Sequence, residues 1–266
     1  MDQNICINKI DDSDEWCLFI STKGKFQYRH NKNNIQIRMY RPDWYLSRLI
    51  SDSKIIAEKL KDLSVKRLIL MGSSKGATGA VLFGYTLSKL LPNISFKVLA
   101  FTPYFLLRKD LYQEDEFESL PPSLIRLNKN KNFAKVFERF GNLIDLINAK
   151  KQNIEYIAIF PENGLHGEDI QYKSILNNDN IRQVIIPMDC HSVIDIFLLW
   201  DRKEDFSKMN IEFYEGEYGP PTENLKYVTF LDDLSEFKVS MEELLYGDDE
   251  YLDKLEWANN IYRQIS

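Results

Sequence analysis

Histidine is scarce in this chain: three among 266 residues, at His30, His166 and His191. Chemistry that needs an imidazole therefore has three places to find one. Cysteine is equally sparse. Cys6, Cys17 and Cys190 are too few and too scattered for a disulfide framework or a zinc site, so no metal is expected. There is no excess of positive charge. The 34 Lys and Arg against 40 Asp and Glu leave a formal net charge of −6, and the pI is about 5.3. That argues against nucleic acid as the main partner, because phosphate binding needs a basic face. No apolar run approaches the roughly 20 residues of a membrane span. Met1-Asp2-Gln3-Asn4 lacks a basic stretch leading into an apolar one, so no signal peptide is expected and a cytoplasmic location is. The sequence also lacks internal repeats, a P-loop and a Rossmann Gly-x-Gly-x-x-Gly.

What the chain does have is an apolar run that ends in glycine and serine. Leu68-Ile69-Leu70-Met71 leads into Gly72-Ser73-Ser74-Lys75-Gly76, and a small-residue apolar pattern, Ala77 to Gly84, follows at once. This is a Gly-x-Ser-x-Gly arrangement between a strand and a helix, with Ser74 at its centre. A nucleophile on so tight a turn has strained dihedrals, and the residues two positions either side of it crowd each other. Glycine at Gly72 and Gly76 removes the Cβ atoms that would clash. Ala77, Gly79 and Ala80 let the helix pack close to the sheet. The alternative is a glycine-rich turn that only packs or that binds a phosphate.

The elements around this turn alternate. Trp16–Ser21 and Asn34–Tyr40 read as strands, Trp44–Leu63 as a helix and Lys66–Met71 as the strand before the turn. Thr78–Leu91 reads as the helix after it, and Ser95–Phe101 as the next strand. That order predicts an α/β fold with a mostly parallel central sheet flanked by helices. Residues 104–152 break the rhythm and read as a helical insertion, a candidate lid, with a long crossover helix as the alternative. Ile154–Phe160, a short helix over Ile170–Leu176 and Arg182–Pro187 resume the sheet. Ser192–Trp200 reads as a further helix. Residues 209–266 form an acidic C-terminal extension expected to pack on the same domain, which spans 1–208.

A serine hydroxyl needs a general base. His191 follows the last predicted strand, at the sheet edge where ligands collect in open α/β sheets. His166, in Gly164-Leu165-His166-Gly167, is the alternative, and His30 sits in a polar stretch typical of surface. The base needs an acid to orient it, expected in the chain order Ser, acid, His. The loop after Ile154–Phe160 offers Asp169 first, then Glu162 and Glu168. Asp169 also reads as a helix N-cap. Two backbone N–H groups are needed for the developing oxyanion. Lys75, the residue after the serine, supplies one. Thr22 or Lys23, after the first predicted strand and beside Gly24, is expected to supply the other, with a plain strand-to-strand loop as the alternative.

With these residues the chain resembles the α/β-hydrolase superfamily over Trp16 to about Trp200. Gly-Ser-Ser-Lys-Gly-Ala followed by Phe83-Gly84 is similar to a bacterial subgroup tied to surface polysaccharides, which includes capsule O-acetyltransferases and an accessory secretion protein that acetylates glycans. The resemblance implies a serine esterase or O-acyltransferase acting on O-acyl, chiefly acetyl, groups of a glycan through an acyl-enzyme. Acetyl-CoA is then a donor rather than a bound cofactor; no CoA phosphate site is legible in the sequence, and Lys75, Arg108 and Lys109 are candidates for its phosphates by charge alone. Two readings stand beside it: a non-catalytic binding protein of the same fold, and an esterase of lipids or small esters. A homo-oligomer is left open.

Overall fold

A computed structural model describes residues 5–21, 33–38, 43–149, 153–161 and 167–186. Its strands are β1 (Ile5–Asn8), β2 (Glu15–Ser21), β3 (Asn34–Arg38), β4 (Arg67–Ser73), β5 (Ser95–Phe101), β6 (Ile154–Pro161) and β7 (Ile181–Ile186). Its helices are α1 (Leu49–Asp62), α2 (Lys75–Leu90), α3 (Glu114–Glu118), α4 (Pro122–Asn128), α5 (Ala134–Phe140), α6 (Leu143–Asn148) and α7 (Glu168–Ile175). The sheet order is β1-β3-β2-β4-β5-β6-β7. Among the described strands only the β1–β3 pair is antiparallel, and every other neighbour is parallel. This is the mostly parallel sheet flanked by helices that the alternation of elements predicts.

The central strand explains the arrangement. Leu68, Ile69, Leu70 and Met71 are all buried. A continuous apolar run is what a parallel strand covered on both faces requires. Helix α2 is apolar nearly all round, and every residue from Lys75 to Gly84 is buried. Such a helix belongs inside a protein. It lies close to the sheet: a Cβ on Gly79 would come within 2.8 Å of the Tyr45 ring and 2.9 Å of Ile20 Cγ2.

Most predicted elements are present within a few residues, and three differ. Strand β1 was not anticipated. Four residues with one fully buried side chain carry almost no periodic signal. The helix expected from Trp44 begins at Leu49. The Asp43 carboxylate accepts from the Tyr45 N–H at 3.2 Å and from the Ser47 hydroxyl, which stabilises a turn that competes with helix. Trp44 and Tyr45 both take positive φ, 56° and 65°. Both are buried: Trp44 edge-on to Tyr104 at 5.2 Å, Tyr45 against Phe83 at 6.1 Å. Packing thus overrides the helical spacing. Helix α7 starts at Glu168 rather than Ile170, so the candidate acids Glu168 and Asp169 lie in its first turn.

The stretch after β5 holds the short helices α3 to α6 rather than one long crossover helix. It is pinched at its base. The Leu107 N–H donates to Gly141 O at 2.7 Å, the Leu143 N–H to Phe105 O at 2.8 Å, and Leu106 bridges Asn142. Phe117, Leu120, Leu124, Phe137 and Phe140 are buried in the same core cluster as the sheet residues. The predicted helix at Ser192–Trp200 and the extension at 209–266 lie outside the described residues.

Candidate active site

Strand β4 ends at Ser73, and α2 begins at Lys75. Ser74 alone makes the turn, at φ 55° and ψ −122°. A non-glycine residue held at such dihedrals costs about 1–3 kcal/mol and persists only where its surroundings fix it. Two backbone hydrogen bonds do so. The Ser74 N–H donates to Phe101 O at 2.8 Å, and its carbonyl accepts from the Thr78 N–H at 3.1 Å. The turn is as crowded as its glycines predict. A Cβ on Gly72 would lie 2.3 Å from the Gly76 carbonyl oxygen and 2.9 Å from the Ala77 nitrogen.

Serine at a helix N-cap ordinarily turns its hydroxyl back onto the first free N–H groups. Ser74 does not: its side chain makes no capping hydrogen bond. The residue is partly exposed, while Lys75 to Ala80 behind it are buried. The hydroxyl is therefore left for other chemistry, at the positive end of the α2 dipole. Lys75, whose N–H is the expected oxyanion donor, is buried in the first turn of α2.

The strand ends beside this turn are tied together. Thr102 also has positive φ, 53°, and its N–H donates to Ile159 O at 2.8 Å. The Tyr104 N–H donates to Thr78 Oγ1 at 3.0 Å, and that hydroxyl donates back to the Tyr104 carbonyl at 3.3 Å, which fixes the chain leaving β5 onto α2.

On the other side of β5, α7 carries two of the candidate acids. Glu168 is buried, at 1% exposure. Asp169 is exposed and pairs with Lys173 at 3.2 Å. Two residues beyond Asp169, Gln171 is completely buried. Its Oε1 accepts from the Phe105 N–H at 2.8 Å and the Leu106 N–H at 3.0 Å, and its amide donates to the Tyr112 hydroxyl at 2.7 Å. That hydroxyl donates in turn to the Leu106 carbonyl. Burial pushes the Tyr112 phenol well above its ordinary range, so it stays a donor at any ordinary pH. Helix α7 is thereby bolted to the chain that leaves β5.

Ser74, Lys75, Glu168 and Asp169 all belong to the described residues. His191, His166, His30, Glu162, Thr22 and Lys23 lie outside them. Two features were missed in the sequence. The Asp43 turn had a signal, an Asp just ahead of a helical pattern, which commonly caps. The Gln171–Tyr112 bond had none, since its partners stand 59 positions apart. Among the described residues no cluster of His, Cys, Asp and Glu could hold a metal ion, and no helix is long and apolar enough to cross a membrane.

No protein-family model matches the chain, and no curated protein does. Solved structures do resemble it in fold at low identity. A lipase-esterase related protein of Clostridium acetobutylicum is 17% identical over 68% of this chain and 88% of its own, with a TM-score of 0.44. A thermostable esterase of Pseudomonas putida is 12% identical over 65% of this chain and 63% of its own, at 0.45. An esterase of Pyrococcus furiosus is 18% identical over 66% and 73%, at 0.40.

Proposed function

We propose that this chain is a serine-dependent ester hydrolase or acyltransferase. The Ser74 oxygen attacks the carbonyl of an ester or thioester as a histidine takes its proton. The tetrahedral oxyanion collapses, and the alcohol or thiol leaves with that proton. The acyl group, now esterified to Oγ, passes by the reverse steps to water or to an acceptor hydroxyl. The observation that carries this reading is the backbone of Ser74, strained at positive φ with its hydroxyl withheld from the helix it caps.

His191 is the proposed base, with His166 as its rival. Lys75 with Thr22 or Lys23 are the proposed oxyanion donors. The proposed acid comes from the first turn of α7, with Glu162 as the further candidate. Burial of Glu168 favours it over Asp169, because an acid that orients histidine works best away from water. Asp169 stands in solvent, in a weak exposed pair with Lys173. Comparing Glu168→Gln with Asp169→Asn separates them. The true acid loses several orders of magnitude in turnover, and the other variant keeps it.

Within this class we favour transfer or removal of acetyl groups on a glycan, with acetyl-CoA as donor in the transfer direction. The support is the resemblance carried by Gly72–Gly76 and Phe83-Gly84. Incubation with acetyl-CoA or an acetylated sugar, followed by intact mass, should show one acetyl group on the wild type and none on Ser74→Ala. A preference for long-chain over acetyl esters would select the lipid esterase instead. Failure of a fluorophosphonate to label folded protein would select the non-catalytic binding protein. Activity surviving in His191→Ala and lost in His166→Ala would transfer the base.

A further inference from the structure

The base of the insertion holds a groove of about 580 Å³, within the size range of small-molecule sites. Arg108, Lys109, Asp110 and Glu114 line it together with the apolar Ala134 and Phe137. Its framework is rigid. The Asn128 side chain accepts from the Lys109 N–H at 2.9 Å and donates to the Leu107 and Leu124 carbonyls at 2.8 and 3.0 Å, so it builds the wall and has no amide hydrogen left over. Arg108 is seated by a missing side chain. A Cβ on Gly141 would fall 2.1 Å from Arg108 Cγ and 2.7 Å from its Cδ.

The cations of this groove are underused. Arg108 makes one ion pair, from a terminal nitrogen to Asp110 at 3.0 Å, and Asp110 is 68% exposed. An exposed pair of this kind holds weakly. The Arg108 Nε–H is buried and makes no hydrogen bond. The Lys109 ammonium lies 5.5 Å from the centre of the Phe117 ring, with no carboxylate among the described residues in salt-bridge range. The terminal guanidinium nitrogens of Arg108 beside the Lys109 ammonium suit an anion with more oxygens and more charge than one carboxylate offers. Asp110 and Glu114 on the same wall are acceptors only. They exclude a ligand that is anionic throughout and require neutral donors beside the charged group.

We propose that this groove binds a small phosphorylated polyhydroxy compound. The phosphate sits on Arg108 and Lys109, hydroxyls donate to Asp110 and Glu114, and the carbon skeleton rests on Ala134 and Phe137. Arg108 and Lys109 then serve this ligand rather than the phosphates of acetyl-CoA, and binding in the groove does not depend on the chemistry assigned to Ser74.

Calorimetric titration of the full chain with glucose 6-phosphate, inorganic phosphate and glucose tests this. Glucose 6-phosphate should bind at least about tenfold tighter than either alone, and Arg108→Gln should weaken it by about tenfold or more. Lys109→Gln alters an exposed side chain, leaves the Gly141 packing alone and should also weaken it severalfold. Equal affinity for phosphate and glucose 6-phosphate would reduce the groove to a plain anion patch and overturn the proposal. So would the absence of saturable binding, or binding that survives in both variants.

Discussion

The amide of Ser74 donates across 2.8 Å to the carbonyl of Phe101, so the strained residue at the end of β4 is latched to the end of the neighbouring strand. The strain is local to one residue and carried by its backbone.

That locality makes the strain measurable. Ser74→Gly removes the penalty of positive φ, while Ser74→Ala keeps it. Both variants should lose ester turnover. The glycine variant should be the more stable of the two by about 1 kcal/mol in urea denaturation. Equal stabilities would mean that the residue is not strained.

Gly72→Ala meets a harder obstacle. Its Cβ would press on the Gly76 carbonyl at 2.3 Å, and backbone cannot rotate aside as a side chain does. A loss of at least about 1–3 kcal/mol is expected, as for overpacked cores, with turnover lost alongside. A variant that folds and labels like the wild type would show that the turn is looser than its geometry implies.

Gln171→Leu strands the Phe105 and Leu106 N–H groups, both within protein. Each orphaned donor costs about 1–3 kcal/mol. Tyr112→Phe strands one carbonyl and one side-chain amide and should cost less. Hydrogen exchange at residues 105–107 should quicken in Gln171→Leu ahead of exchange in β4. Uniform exchange across the protein would refute the local role.

Asp52 gives a pH dependence. Burial in α1 pushes its carboxyl above the ordinary 3.8, with the Asp43 charge adding a little and Arg48 at 3.0 Å opposing. The folded state then holds this proton after the unfolded chain has released it. Stability therefore falls as pH rises from about 4, until Asp52 ionises in the fold as well. Asp52→Asn removes that slope. Urea denaturation between pH 4 and 7 should show the stability of wild type relative to Asp52→Asn declining with pH. A difference that grows would reverse the assignment.

The legible parts of the fold were those with strong periodicity. Ser95–Phe101 is a strand with the predicted bounds, and β4 and α2 lie within three residues of theirs, because buried parallel strands and their helices write long apolar patterns. The crowding of Gly72 on Gly76 was also legible, since only a tight turn needs two glycines at that spacing. Trp44 and Tyr45 misled because their spacing is helical while their packing is not. Gln171 was silent because nothing local in its surroundings marks a buried acceptor for two distant amides. The contrast between buried Glu168 and exposed Asp169 was equally silent, as adjacent carboxylates look alike in sequence.

The latch on Ser74 has a consequence for how the protein comes into being. Ser74 hangs on Phe101, and the next residue, Thr102, hangs on Ile159. Three strand ends are thus linked in series, the first two each secured by a strand synthesised later. A nascent chain that has just finished α2 carries the whole motif but neither anchor. Its serine relaxes to ordinary dihedrals and is an ordinary serine. Under the function proposed above, the reactive geometry of the turn therefore forms only as β5 and then β6 dock.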